Sequence, residues 1–476
     1  ASKCNACLYN VQCSETQNTR CEKTKPMSEA KNMPSNSSDD NQNAANSSDL
    51  DYLYASLLFD EVNSDLTEDA NVSDLIIDDR ENNESATVNS VHVSAEKDHE
   101  AILKSILEQK SQTICKSQLS KFNICRNSVW EGTKRTMLRK SFSPSNKISV
   151  KFTDHIGFSE GAVDLGGPMR EFVTLVLEYL VDSELFTGSR NFKLLSCSSK
   201  CLDESEYFLA GQFISMGLVH VGIGPRCLSP ILFECLTGRP EKVSVSVEDV
   251  SDPELRDTLQ ELLDSETIEE AREIMNRPNL ETLLDISGNF KVLRNMHDVK
   301  NVVNSTASWY VLGRTRAALE SFKEGLSFLG ILSSIVENPL AFKSEMCYKE
   351  RVITNEMMSK LFCVTRSEVG SNRYELESLL LSFWEDLLVD VQEGEVGLSY
   401  SDIIFFSSGY KVIPLIHLSP VLTFLHEVEE NGELSQYPKA NTCACTLCLP
   451  TLHKKCENFK QAMIFAILNS KGFGCP

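Results

Sequence analysis

No stretch of this 476-residue sequence is apolar for long enough to cross a membrane. The most apolar run, residues 326–336, falls well short of the roughly 20 residues that a spanning helix needs. The opening Ala1-Ser2-Lys3-Cys4 lacks the charged-then-apolar order of a secretory signal, so sequons such as Asn304-Ser305-Thr306 carry no expectation of glycosylation. Positive charge is scarce as well. With 46 Lys and Arg against 68 Asp and Glu, the net charge of −22 argues against nucleic acid or an anionic membrane as partner. A paired-cysteine framework is also missing, because the 17 cysteines are odd in number and their spacings do not repeat. Free thiols in the reducing cytosol or nucleus are therefore expected. The sequence begins at Ala1 instead of Met and is read as a piece of something longer.

What is present is an ordinary core-forming composition, 41% hydrophobic, over a length sufficient for two or three compact units. The acidity is concentrated. Residues 39–100 hold about 17 acidic side chains against Arg80 and Lys97, a block that reads as solvated tail. Residues 1–35 carry Cys4, Cys7, Cys13 and Cys21, a zinc half-site without its second half, and are read as a vestigial finger or an unstructured stretch. Residues 36–97 are expected to be disordered, being rich in Ser, Asn, Asp and Glu. Within them Leu75-Ile76-Ile77, flanked by Asp74 and Asp78, could add as a strand to a partner's sheet, though a chance apolar patch is the favoured reading.

From residue 98 the pattern is globular. Ser251-Asp252-Pro253-Glu254 predicts the start of a helix through Leu263, Thr267 to Met275 carries a second amphipathic pattern, and Ala318, Phe322, Leu326 and Leu329 fall at helical spacing towards a core. Short β-rich runs follow at 403–406, 421–425 and 443–449, and residues 367–372, with Gly370, are the expected flexible joint. The expectation is an α+β architecture, a helical lobe at 98–369 and a smaller α/β lobe at 370–476.

Three ordered segments carry chemistry by resemblance. Val163-Asp164-Leu165-Gly166-Gly167-Pro168-Met169-Arg170-Glu171-Phe172, preceded by a strand around Val150-Lys151-Phe152, gives a Gly-Gly turn into a helix near Pro168. Leu228-Ser229-Pro230, Phe233, Leu236 and Gly238 form the second segment, with Phe322 and Gly325-Leu326 in a later helix. The third is Phe405-Phe406-Ser407-Ser408-Gly409 with Pro414, then Pro438-Lys439-Ala440-Asn441-Thr442-Cys443 and Thr446-Leu447-Cys448-Leu449-Pro450, closing on Gly472-Phe473-Gly474. Together these resemble the HECT ubiquitin-ligase family, and the phrases around Asn441-Thr442-Cys443 and 322–330 resemble its G2/M phase-specific group.

The resemblance implies a bilobal HECT domain, with a larger mainly helical N-lobe and a smaller α/β C-lobe. Cys443 would form a glycyl thioester, with Thr442, Asn441 and Phe473 in support and no cofactor or metal. An E2 enzyme, ubiquitin and protein substrates would be the partners, while Arg170 and Glu171 would be framework. Asn441 stands where the family has His, and Ala444-Cys445 where it has Phe-Asn. A catalytically weak scaffold that binds E2 or substrate is therefore the alternative.

Other chemistries fit less well. Cys445, Cys448, His453 and Cys456 approach a zinc-knuckle spacing, but strand alternation puts Cys445 and Cys448 on opposite faces. Gly157-Phe158-Ser159-Glu160-Gly161 matches an esterase elbow, yet the glycine-rich sequence after it cannot supply the required helix. His417, His426 and His453 could partner a papain-like cysteine, but the sequence context of such proteases is absent.

Overall fold

The computed structural model describes residues 84–153, 166–238, 243–416, 418–428 and 432–470, with side chains from residue 98 onward. The four N-terminal cysteines, the Leu75-Ile76-Ile77 triplet, the elbow-like 157–161, Val163-Asp164-Leu165, His417 and Phe473 lie outside the described residues.

Helix α1 (Glu84–Gln112) begins inside the segment expected to be disordered, a correction to the boundary at 97. Its Leu103 and Leu107 are fully buried, and Lys110 caps the carbonyls of Leu329 and Gly330 at 3.1 and 2.9 Å. Docking of an apolar stripe sustains a helix that composition alone would not. Two parallel strands follow, β1 (Cys115–Cys125) and β2 (Asn146–Thr153), with helix α2 (Val129–Met137) between them. Phe122 on β1 meets Phe172 of helix α3 (Gly167–Asp182) at 4.9 Å, and Phe172 meets Phe213 of helix α4 (Glu206–His220) edge-on at 5.4 Å. This aromatic column is the centre of the larger lobe.

Asp252 and Thr267 cap the helices Pro253–Leu263 and Ile268–Met275 by accepting from Leu255 N and Glu270 N. Ala318, Phe322 and Leu326 of helix α5 (Arg316–Leu326) are buried against α4, as their spacing predicts. Leu329 lies in a following turn, at a φ of 55°. At the crossing, a Cβ on Gly211 would collide with the Phe322 carbonyl and one on Gly325 with that of Phe208. The two helices thus meet backbone to backbone, a close approach that only glycine permits. The lobe ends with helix α6 (Pro339–Met346).

Residues 348–354 then run without helix or strand, exposing Tyr348 and Val352, to helix α7 (Asn355–Leu361). From α7 onward the chain builds a second lobe. Its four-stranded sheet has the order β3 (Cys363–Val364), β4 (Val421–Leu425), β6 (Thr446–Pro450), β5 (Lys439–Asn441). β3, β4 and β6 are parallel, and β5 is antiparallel to β6. Helices α8 (Asn372–Glu393), α9 (Tyr400–Ser408) and α10 (Cys456–Asn469) complete it.

Two expectations need correction. Residues 403–406 are helical, because the Ser399–Asp402 capping box starts α9 and Gly409 at φ 81° ends it. The boundary at 369/370 falls inside the second lobe, since β3 is already paired with β4. Gly370 (φ 86°) is the turn before the N-cap Ser371, and Ser367 donates through N and Oγ to Glu377 at 2.8 and 2.6 Å. The expected joint is pinned to α8, and the linking segment is 348–354.

Glu377 is 1% exposed and also takes a 2.7 Å hydrogen bond from His426 Nε2. Burial alone would raise its carboxyl, but the Ser367 and His426 hydrogen bonds outweigh it and hold it below the usual range. A carboxylate depressed in the folded state contributes stability above its unfolded pKa and loses it as pH falls through the folded value. Glu377→Gln should therefore cost about 2 kcal/mol at neutral pH, with the gap to wild type closing in acid, as read from denaturation midpoints across pH.

Candidate active site

Cys443 sits near the tip of the hairpin loop between β5 and β6. Asn441, paired with Thr446 across the hairpin, accepts from Ala444 N three residues on through Oδ1 at 3.1 Å and so closes the turn around the cysteine. Cys445 takes φ 50°, its N donates to the Thr442 carbonyl at 3.3 Å, and its buried thiol points at the same oxygen. The side chain that stands where the family has His thus shapes the loop, and the cysteine beyond it becomes the loop's strained residue.

The loop rests on the other lobe. A Cβ on Gly167, the first residue of α3, would lie 3.3 Å from Cys443 Sγ and closer still to Thr442 Oγ1. Gly166 adopts φ 123°, where a Cβ would also press on the Arg170 guanidinium. The Gly-Gly turn therefore serves two neighbours, one of them 276 positions along the chain from Gly167. Arg170, 7% exposed, donates through Nε to the Ser408 carbonyl at 2.9 Å and through Nη2 to the carbonyls of Thr442 and Cys443, the latter at 3.3 Å. Glu171 turns inward instead, pairing with Arg126 at 2.7 and 3.1 Å. Of the two residues expected to be framework, Glu171 is one, while Arg170 reaches the cysteine loop.

The segment after α9 continues this contact between lobes. Tyr410 is buried beside Arg170 and donates its hydroxyl to the Val221 carbonyl at 3.2 Å. Lys411 pairs with Glu178 at 2.6 Å, Arg226 Nη2 donates to the Ile413 carbonyl at 3.4 Å, and Leu415 N donates to the Gly222 carbonyl at 3.4 Å. Among the described residues the chain passes from one lobe to the other once, through 348–354.

Burial pushes the Cys227 and Cys347 thiols up to about 12, and raises Cys235, Cys445 and Cys448 as well. Those sulfurs are poor nucleophiles near neutral pH. Cys443 is half-exposed. Exposure does not single it out, since Cys197 and Cys363 are more open; its place on a built loop at the lobe junction does. The knuckle-like residues have separate partners. Cys448 lies opposite Lys439, His453 contacts the Gln436 carbonyl and Cys456 contacts Asp386. Among the described residues no three His, Cys, Asp or Glu side chains converge as a metal site.

The family model for the HECT domain (ubiquitin-transferase) matches residues 174–476. The G2/M phase-specific E3 ubiquitin-protein ligase of Gallus gallus is 30% identical over 368 residues, covering 76% of this chain and 46% of the relative. Its Homo sapiens counterpart is 28% identical over 361 residues, covering 75% and 48%. The probable E3 ubiquitin-protein ligase HECTD2 of Homo sapiens is 22% identical over 364 residues, covering 71% and 44%. The chain thus spans about half the length of these curated relatives.

Proposed function

The chain belongs to the HECT ubiquitin-transferase family, and from that premise we propose that it is an E3 ubiquitin ligase working through a thioester on Cys443. The observation that carries this reading is the cysteine's setting, a tight loop at the junction of two lobes that, among the described residues, are joined by a single crossing of the chain. Cys443 Sγ, as thiolate, attacks the carbonyl carbon of ubiquitin's C-terminal glycine on a charged E2, and the E2 thiolate leaves. A substrate lysine amine then attacks the new thioester, Cys443 leaves as thiolate, and the amine's surplus proton passes to solvent. Thioester exchange is nearly balanced and amide formation runs downhill, so neither ATP nor metal is called for. The protein's contribution is largely positioning.

Thr442 and Asn441 support the loop through the contacts above, and Phe473 is proposed to orient the donor by family resemblance alone. Substrate lysines, a charged E2 and ubiquitin are the proposed partners. Half-exposed and exposed thiols support a reducing compartment, cytosol or nucleus. No described helix is long and apolar enough to cross a membrane.

Incubation with charged E2 tests the reading. A reductant-sensitive ubiquitin adduct, mapped to Cys443 by mass spectrometry, is the expected result. Binding of E2 with no adduct would move the protein to the scaffold alternative.

A further inference from the structure

We propose that Arg170 is a positioning residue for the second half of the reaction, clamping the cysteine loop to the N-lobe while the lysine amine attacks. The inference rests on the proposed thioester at Cys443 and adds the step at which the lobes must be engaged.

The clamp is drawn from residues far apart in sequence. Arg170 stands on the first turn of α3, and its donors reach three carbonyls of the other lobe: Ser408 at the end of α9, then Thr442 and Cys443. The two loop carbonyls flank the nucleophile's own backbone, so holding them fixes the direction of the Cα–Cβ bond that carries Sγ. A guanidinium suits this task because its donors lie in one rigid plane. The contact is nearly dry, with Arg170 itself 7% exposed and the Tyr410 ring beside it 1% exposed. The space is prepared as well. Gly409 passes so close that a Cβ there would lie 3.3 Å from the Gly167 carbonyl, and side chains at 166 or 167 would strike Arg170 or the cysteine loop.

The same packing decides which half-reaction it serves. With α3's first turn against one side of Cys443, the thiol is only half-exposed. Exchange with an E2 requires two protein surfaces to close around one sulfur, whereas a lysine side chain is a narrow nucleophile that needs only the open side. The clamped arrangement therefore fits attack by the amine. Receiving ubiquitin calls for the loop to leave the N-lobe, which the 348–354 crossing permits.

The test is a pulse–chase on the full 476-residue chain. Protein is loaded from charged E2, loading is stopped, and loss of the thioester is followed on adding free lysine. For Arg170→Ala we expect discharge to slow by about tenfold or more, the loss expected when charge-assisted hydrogen bonds are removed from a reacting group's support. Loading should slow by much less. Arg170→Lys, which keeps the charge but not the plane, should recover part of the discharge rate, and Gly167→Ala, which pushes the loop from the other side, should show the same split. Equal discharge in wild type and variants overturns the clamp while leaving the thioester mechanism standing. Loading and discharge that fall in parallel with a lowered melting temperature overturn it too, by making Arg170 structural only. No adduct on the unaltered protein overturns both proposals.

Discussion

Cys443→Ala should abolish the E2-dependent adduct and lower ubiquitin transfer by at least about a thousandfold, because removing a covalent nucleophile leaves only the contribution of binding. The folded state should barely notice. The side chain is half-buried on a loop whose shape is held by Asn441 Oδ1 and by backbone carbonyls, so the denaturation midpoint should move by less than about 1 kcal/mol. Cys443→Ser sharpens the test, since a hydroxyl can accept the acyl group but forms an oxygen ester that thiol reductants do not cleave. A band that survives reductant in the Ser variant, and no band in the Ala variant, would place the acyl group on this residue. Transfer at the wild-type rate in the Ala variant would end the thioester account.

Glu345→Ala should have the largest effect on stability, about 3–5 kcal/mol, a sizeable part of what typically holds a domain together. Glu345 lies on α6 with no exposed surface. Its carboxylate accepts from Arg226 through Nε at 2.9 Å and Nη2 at 2.7 Å, from Arg351 at 3.0 Å and from Gly224 N at 3.2 Å. Truncation would strand a largely buried guanidinium that also supports the Ile413 carbonyl of the other lobe. The cost should register in chemical denaturation and, through Arg351 in the 348–354 crossing, in weakened contact between the lobes. A midpoint unchanged within about 1 kcal/mol would refute this view of the cluster.

Local signals in the chain read well where the cause was local. Asp252 caps the helix that Ser251-Asp252-Pro253-Glu254 predicts, and the amphipathic stretch after Thr267 is the helix Ile268–Met275. Val421–Leu425 is a strand, and the Gly-Gly turn opens a helix at Gly167. Reading failed where composition and context disagree. Ile403 to Phe406 has the composition of a strand, but its fate was decided by a capping box before it and a left-handed glycine after it. Gly370 has the composition of a hinge, but Ser367 bonded to Glu377 makes it a fixed turn.

The sequence by itself determined the family resemblance and the candidate nucleophile, because each rests on short motifs whose residues lie within a turn or two of one another, and it placed those helices and strands whose caps and patterns are local. Only the tertiary structure decided why Gly166 and Gly167 must lack side chains, why Arg170 differs in role from its neighbour Glu171, and where the lobes are joined. Those answers depend on atoms brought together across separations such as the 272 positions between Arg170 and Thr442. Steric exclusion and hydrogen bonding act over a few ångströms of space, and no local pattern along the chain records which distant backbone will come to occupy it.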